Sequence, residues 1–192
     1  MGATGAGTAE AQGVTEGVDI YFSTFAKSMA SIGAFFATDV DTAEFLRYNT
    51  RSQIFAKSLP MPLVIGALKR LQLLREVPAL REQLWKVVNA LQQGLRERGF
   101  NLGKTQSPVT PVLLSGSLGE ATALVVDLRE NYHIFCSVVV YPVVPKDVIM
   151  LRLIPTAAHT LEDVQYTLEA FSAVAEKLRA GGYQADGVVA MR

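Results

Sequence analysis

The sequence predicts an α/β chain whose larger part is a two-layer α+β domain, with helices on one face of a small, mainly antiparallel sheet. Two observations carry that expectation. Beyond Pro60 the apolar residues run in the order helix, helix, strand, helix, strand, strand, helix, which suits one helical layer over one sheet. Before it, two apolar runs and one helix behind a Gly-rich start are too few to cover both faces of a sheet, so this part reads as cut from a larger domain or committed to an interface. The expected organisation is residues 1–60 as that incomplete part, 61–180 as the small domain and 181–192 as a mobile Gly-rich tail.

Taken in order, the opening MGATGAGTAEAQGVTEG is small and Gly-rich and reads as a loop. Val18 opens VDIYFSTF, β-branched and aromatic, the composition of a buried strand ending near Thr24, and SIGAFFAT supplies a second apolar run. Asp39 or Asp41 can cap a short helix through DTAEFLRYN, since a carboxylate there accepts from the unpaired N–H groups of the first turn. NTRSQIFAKSLPMP then reads as extended chain closed by Pro60 and Pro62. Leu63, Ala67, Leu68, Leu71 and Leu74 recur at helical spacing up to Pro78, and Leu80, Leu84, Val87, Val88, Leu91 and Leu95 continue until Gly99. Pro78 interrupts these runs, which favours packing on the sheet over a coiled coil. PVLLS is a short strand and Glu120–Tyr132 a helix, while IFCSVVVY and DVIMLRLI are neighbouring strands separated by PVVPK. Thr160 with Asp163 forms a capping box for the last helix, Leu161–Leu178.

Eighteen basic and eighteen acidic side chains leave no net charge, so no overall field draws the chain to a nucleic acid or an anionic membrane. A hydrophobic content of 49% excludes disorder for most of the length. One cysteine, Cys136, cannot pair within the chain, and with two histidines it makes too small a set for zinc. No apolar run reaches the roughly 18 to 20 residues that span a bilayer, and no basic-then-apolar leader opens the chain, so a cytoplasmic protein is expected. Thr4-Gly5-Ala6-Gly7 follows no strand in this chain and lacks the Lys-Ser/Thr of a phosphate-binding P-loop, which argues against nucleotide binding there.

The stretch that carries chemistry is Ser23-Thr24-Phe25-Ala26-Lys27-Ser28, a lysine just past a strand among hydroxyls and small side chains. A lysine partly desolvated there has a lowered pKa and serves as amine nucleophile or base, while hydroxyls and backbone N–H groups hold phosphate. The plainer alternative is a solvated lysine at a strand end. Arg152, in an alternating strand, is by pattern alone a solvent-facing charge. His133 and His159 read as turn or cap residues, and Cys136 as a small buried hydrophobe.

Three separated segments resemble one family, the α-oxoamine synthases, fold-type I pyridoxal-phosphate enzymes that condense an amino acid with an acyl-CoA thioester. VDIYFSTFAKSMASIGAFF resembles the family's cofactor-lysine segment, which implies Lys27 as the lysine bonded to pyridoxal phosphate and Thr24 as a ligand of its phosphate. RSQIFAKSLPMP resembles the segment presented to that phosphate across a dimer interface and implies Lys57 and Ser58. VVYPVVPKDVIMLRLIPTAAHTLEDV resembles the C-terminal signature and implies Arg152 as the grip on the amino-acid carboxylate. These roles are chemically coherent: an amine for imine formation, hydroxyls for phosphate, a guanidinium fork for a carboxylate.

Ser23 departs from the family's usual glycine, and Ser28-Met29-Ala30-Ser31 replaces its Gly-rich run. In the family, the aspartate that pairs with the pyridinium nitrogen, the histidine of its motif and the ring-stacking residue precede the matched part. The resemblance is therefore to the C-terminal portion, with residues 1–60 as a remnant of the large cofactor-binding domain. It implies a decarboxylating condensation of serine or glycine with an acyl-CoA, most similar to serine palmitoyltransferase. It further implies a homodimer or a missing N-terminal half as partner, with little activity for this chain alone. A non-catalytic partner or regulatory subunit is the alternative.

Overall fold

The computed structural model describes residues 1–184. The chain divides into two compact units, Met1–Ala79 and Leu80–Arg192.

The first unit holds helix α1 (Thr8–Gln12), a 3-10 turn (Thr15–Gly17), strands β1 (Tyr21–Thr24) and β2 (Ala34–Ala37), and helices α2 (Val40–Asn49), α3 (Arg51–Phe55) and α4 (Met61–Glu76). Its Gly-rich start is thus not a plain loop. The Glu10 carboxylate accepts from the N–H groups of Thr4 and Ala6, at 2.9 and 3.0 Å, and folds the start back on α1. Gly13, at φ 68, then ends that helix in the left-handed conformation that glycine adopts without strain. Strand β1 begins at Tyr21 rather than Val18 and pairs antiparallel with β2, from Tyr21↔Ala37 to Thr24↔Ala34.

Contrary to the expected buried strand, Phe22 is 65% exposed, because among the described residues its sheet is a ribbon of two strands. Asp39, not Asp41, caps α2, its Oδ1 accepting from the Thr42 N–H at 2.9 Å. The segment expected to be extended up to Pro60 opens instead with the short helix α3, whose first turn closes on the Thr50 carbonyl with no side-chain cap. Helix α4 has the spacing of a packed helix, yet it clusters with this first unit and buries no residue. The break between compact units therefore falls after Ala79 rather than Pro60.

The second unit takes α5 (Pro78–Glu97), β3 (Thr110–Ser115), α6 (Leu118–Tyr132), β4 (Ser137–Val139), β5 (Val148–Leu153) and α7 (Leu161–Arg179). The sheet runs β3-β5-β4 with both pairings antiparallel, so β5 is central, with Thr110↔Leu153 on one side and Ser137↔Arg152 on the other. This is the expected two-layer arrangement. Leu91 and Leu95 of α5, Leu124 and Leu128 of α6, and Leu168 and Phe171 of α7 pack on Val112, Ile149 and Leu151 of the sheet. Alternation along β5 sends Ile149, Leu151 and Leu153 into that core and turns Met150 and Arg152 to the other face.

Two capping boxes set the starts of α6 and α7: Ser117 with Glu120, and Thr160 with Asp163. At the end of α6, His133 adopts φ 53 and the Ile134 N–H returns to the Leu128 carbonyl, so the chain turns before β4 can begin. The IFCSVVVY run consequently yields only three residues of strand. The expected mobile tail starts with an anchored turn, since Tyr183 is 6% exposed; residues 185–192 lie outside the described residues.

Candidate functional site

Lys27 lies in the connection between β1 and β2, which the backbone closes tightly. Phe25 N–H donates to the Gly33 carbonyl at 2.9 Å, Ser31 N–H to Phe25 at 2.8 Å, and Ala30 N–H to Lys27 at 2.9 Å. The rings of Phe25 and Phe35 stack at 5.5 Å beneath the turn. Ala30 sits at φ 42, a left-handed position where a glycine is at ease, and the Ser31 hydroxyl is buried without a hydrogen-bond partner. Lys27 itself is exposed, as is Thr24. The partial desolvation expected of this lysine is therefore not present: a bare hairpin offers no second layer to exclude water from the amine.

The segment bearing Lys57 and Ser58 reaches the same turn. A Cβ on Gly33 would meet Leu59 Cδ2 at 2.7 Å, so Leu59 rests on the glycine that closes the Lys27 turn. Gly33 is required twice there, for its φ of 96 and for that close approach. Lys57 and Ser58, immediately before Leu59, are exposed. Within one unit the fold thus sets two ammonium groups and the hydroxyls of Thr24, Ser31 and Ser58 on neighbouring segments. This donor set fits a group carrying an aldehyde and a phosphate: an amine for the carbonyl, cations and hydroxyls for the oxyanions.

Arg152 belongs to the second unit. The sheet face turned away from the helices carries Pro111, Leu113 and Ser115 of β3, Val148 and Met150 of β5, and Ser137 and Val139 of β4. Arg152 is the one charged strand residue on that face. Its flanking partners in the ladder are Pro111 and Ser137, and its Nε donates to Ser137 Oγ at 3.0 Å. An exposed guanidinium on an apolar platform, with its terminal nitrogens free of any protein acceptor among the described residues, is suited to a planar anion.

Sequence reasoning missed a cavity of about 500 Å³ on the helical side, lined by Val87, Leu91, Ile134, Phe135, Leu153 and His159 among others. Its walls come from α5, the end of α6 with the loop after it, the end of β5 with the loop after it, and α7, and no single segment signals it. His159 is a turn residue, its Nδ1 accepting from the Thr156 N–H at 2.9 Å. Cys136 is buried, and burial pushes its thiol up to about 11, which removes it as a nucleophile. Among the described residues no cluster of histidine, cysteine and carboxylate side chains could hold a metal, and no helix is long and apolar enough to cross a membrane.

The profile of the family described as "Aminotransferase class I and II" matches residues 1–171. The chain belongs to that family. This aminotransferase-family chain is 59% identical over 185 residues to the cysteate-C-fatty acyltransferase of Capnocytophaga ochracea, covering 96% of the chain and 44% of that protein. It is 37% identical to the serine palmitoyltransferase of Sphingobacterium spiritivorum, covering 88% of the chain and 42% of that protein. To the 8-amino-7-oxononanoate synthase of Thermoanaerobacter pseudethanolicus it is 32% identical, covering 93% and 45%. Among solved structures, the Sphingomonas wittichii serine palmitoyltransferase superposes with a TM-score of 0.85 at 32% identity, over 95% of this chain and 45% of that one. A serine palmitoyltransferase from S. paucimobilis, solved with PLP and myriocin bound, gives 0.83 at 28% identity, over 94% and 45%. The chain thus spans a little under half the length of the curated relatives it matches.

Proposed function

We propose that this chain is the C-terminal portion of a pyridoxal-phosphate-dependent C-acyltransferase, which joins the α-carbon of an amino acid to a fatty acyl group carried as a thioester. The observation that carries the proposal is the 59% identity over 96% of the chain to a protein named for cysteate and a fatty acyl group. That identity favours cysteate over serine or glycine, the amino acids the motifs alone suggested.

Bound pyridoxal phosphate would supply the electron sink that makes an α-carbanion accessible. Lys27 Nζ would hold the cofactor by its aldehyde carbon and take the proton from the amino acid's Cα. Thr24 and Ser58, with the Lys57 ammonium, would neutralise and orient the phosphate. The terminal nitrogens of Arg152 would hold the carboxylate and so fix which face of Cα meets the acyl carbonyl. Cα would bond to that carbonyl carbon as the C–S bond breaks, the proton Lys27 took from Cα leaving with the thiolate as free thiol, and loss of the carboxylate as CO₂ would be balanced by one proton from water returned to Cα.

Exposed Phe22, Phe45, Tyr48 and Phe55 in the first unit support assembly with a second copy or with the remaining part of a longer protein. Mixing the purified chain with pyridoxal phosphate, reducing with borohydride and mapping the added mass tests the cofactor assignment. Stoichiometric labelling confined to Lys27, and abolished in Lys27→Ala, is expected. Labelling scattered over the lysines would overturn it.

A further inference from the structure

We infer that Ser137 is a positioning residue for Arg152: by accepting from Nε it commits the guanidinium to bind a carboxylate end-on, through Nη1 and Nη2. The inference rests on the proposed role of Arg152 but on a separate observation. An arginine side chain is long and samples many rotamers, and it can present either its end-on or its side-on edge to an anion. On this sheet face the choice is restricted. One cross-strand neighbour, Pro111, has no polar side-chain atom; the other, Ser137, stands directly opposite in the β4–β5 ladder. Its Oγ accepts from Nε at 3.0 Å, and among the described residues it is the only side chain bonded to Arg152.

The side-on edge includes Nε, so that edge is taken. The four N–H groups on Nη1 and Nη2 are left without a protein acceptor among the described residues, on a sheet face whose neighbouring positions are Pro111, Leu113, Met150 and Val139. A planar carboxylate meets that end in two parallel hydrogen bonds, and the geometry is preset before the ligand arrives. Serine at this position therefore acts on ligand orientation rather than on folding, since β4 is a short edge strand and its ladder bonds come from the backbone.

The test uses the whole ¹⁵N-labelled chain and reads the Nε–Hε correlation of Arg152, assigned by its loss in Arg152→Lys. Exchange of this Hε with water is expected to be about fivefold slower than in Ser137→Ala, the worth of one hydrogen bond. Ser137→Thr, which restores the hydroxyl, is expected to recover the protection, with the circular dichroism of all three proteins the same. Equal exchange in the wild type and Ser137→Ala would overturn the inference, and so would a failure of Ser137→Thr to restore it. L-Cysteate titrated into the same samples separates this from the proposed function. If cysteate shifts no Arg152 resonance while Hε protection still depends on Ser137, the carboxylate role of Arg152 fails and the positioning contact stands.

Discussion

Lys177 of α7 donates to Asp127 Oδ2 of α6 across 2.9 Å, joining positions 50 residues apart in the chain. The Tyr183 hydroxyl donates to the same oxygen, and Asn131 Nδ2 donates to Oδ1 at 2.6 Å. Lys177 Nζ also lies 4.9 Å from the centre of the Tyr183 ring. Burial pushes the Asp127 carboxyl up, but the donors from Tyr183, Asn131 and Lys177 outweigh it and hold the group below the usual carboxylate range. Asp127→Ala strands a buried tyrosine hydroxyl and is expected to destabilise the second unit by about 2 kcal/mol, measured by urea unfolding at neutral pH.

The same carboxylate makes stability depend on acid. Its folded pKa is depressed, so its contribution is complete above the unfolded value of about 3.9 and is lost as pH falls through the folded value. Asp127→Asn, which cannot ionise, is expected to lose less stability than the wild type when unfolding is repeated at pH values below about 4. The other depressed carboxylates, Asp39, Glu120 and Asp163, remain in both proteins, so the difference between the two acid curves isolates Asp127. Parallel curves would refute the linkage.

Gly94 lies where α5 meets α7, and a Cβ there would clash with Leu168 Cδ1. Leu168 is itself buried in the core, so the clash is not cleared by swinging a free side chain. Alanine gains about 1 kcal/mol of helix propensity over glycine, but overpacking a core costs about 1–3 kcal/mol. Gly94→Ala is therefore expected to lower stability by about 1 kcal/mol. Adding Leu168→Val should make the pair cost less than the sum of the two single changes, the signature of a shared contact in a double-mutant cycle.

The Thr160–Asp163 and Ser117–Glu120 boxes each satisfy two otherwise unpaired N–H groups at a helix start. Thr160→Ala and Ser117→Ala are expected to cost about 1 kcal/mol each, and, being on separate helices, to add in the double variant. Thermal unfolding followed by circular dichroism checks both the size and the additivity.

Cys136 gives a chemical check on the core. With its thiol at about 11, the thiolate fraction at pH 8 is about one in a thousand, and burial hides it further. Alkylation by iodoacetamide at pH 8 is expected to be negligible in the folded chain and complete in denaturant. Prompt labelling of the native protein would place this residue outside the packed layer.

Legibility in the sequence divided along the two units. In the second, Val87, Leu91 and Leu95 recur at helical spacing, Ile149, Leu151 and Leu153 alternate, and Thr160 with Asp163 marks a helix start, so the helices, the central strand and the core were readable, while the apolar run around Cys136 overstated β4. In the first, the same signals misled. Phe22 and Leu68 have the spacing of packed residues but lie exposed, and Arg51–Phe55 is helical where the prolines beyond it suggested extended chain. Periodicity reports that a face is apolar, not what covers it. The role of Ser137 was likewise invisible, because it depends on a cross-strand pairing between residues 15 apart.

The amino-acid sequence by itself determined the element order of the second unit, the Thr160–Asp163 cap and the residues proposed to carry the chemistry: Lys27 after a strand, Lys57 and Ser58 before Pro60, Arg152 in an alternating strand. These are local properties, set by side-chain periodicity and by hydrogen bonds a few residues long. Tertiary structure alone decided that β5 is central, that Leu59 rests on Gly33 beside the Lys27 turn, and that Arg152, the one charged strand residue on its sheet face, has Ser137 at its Nε. Strand order and register arise from packing between residues far apart in the chain, whose partners no local pattern names.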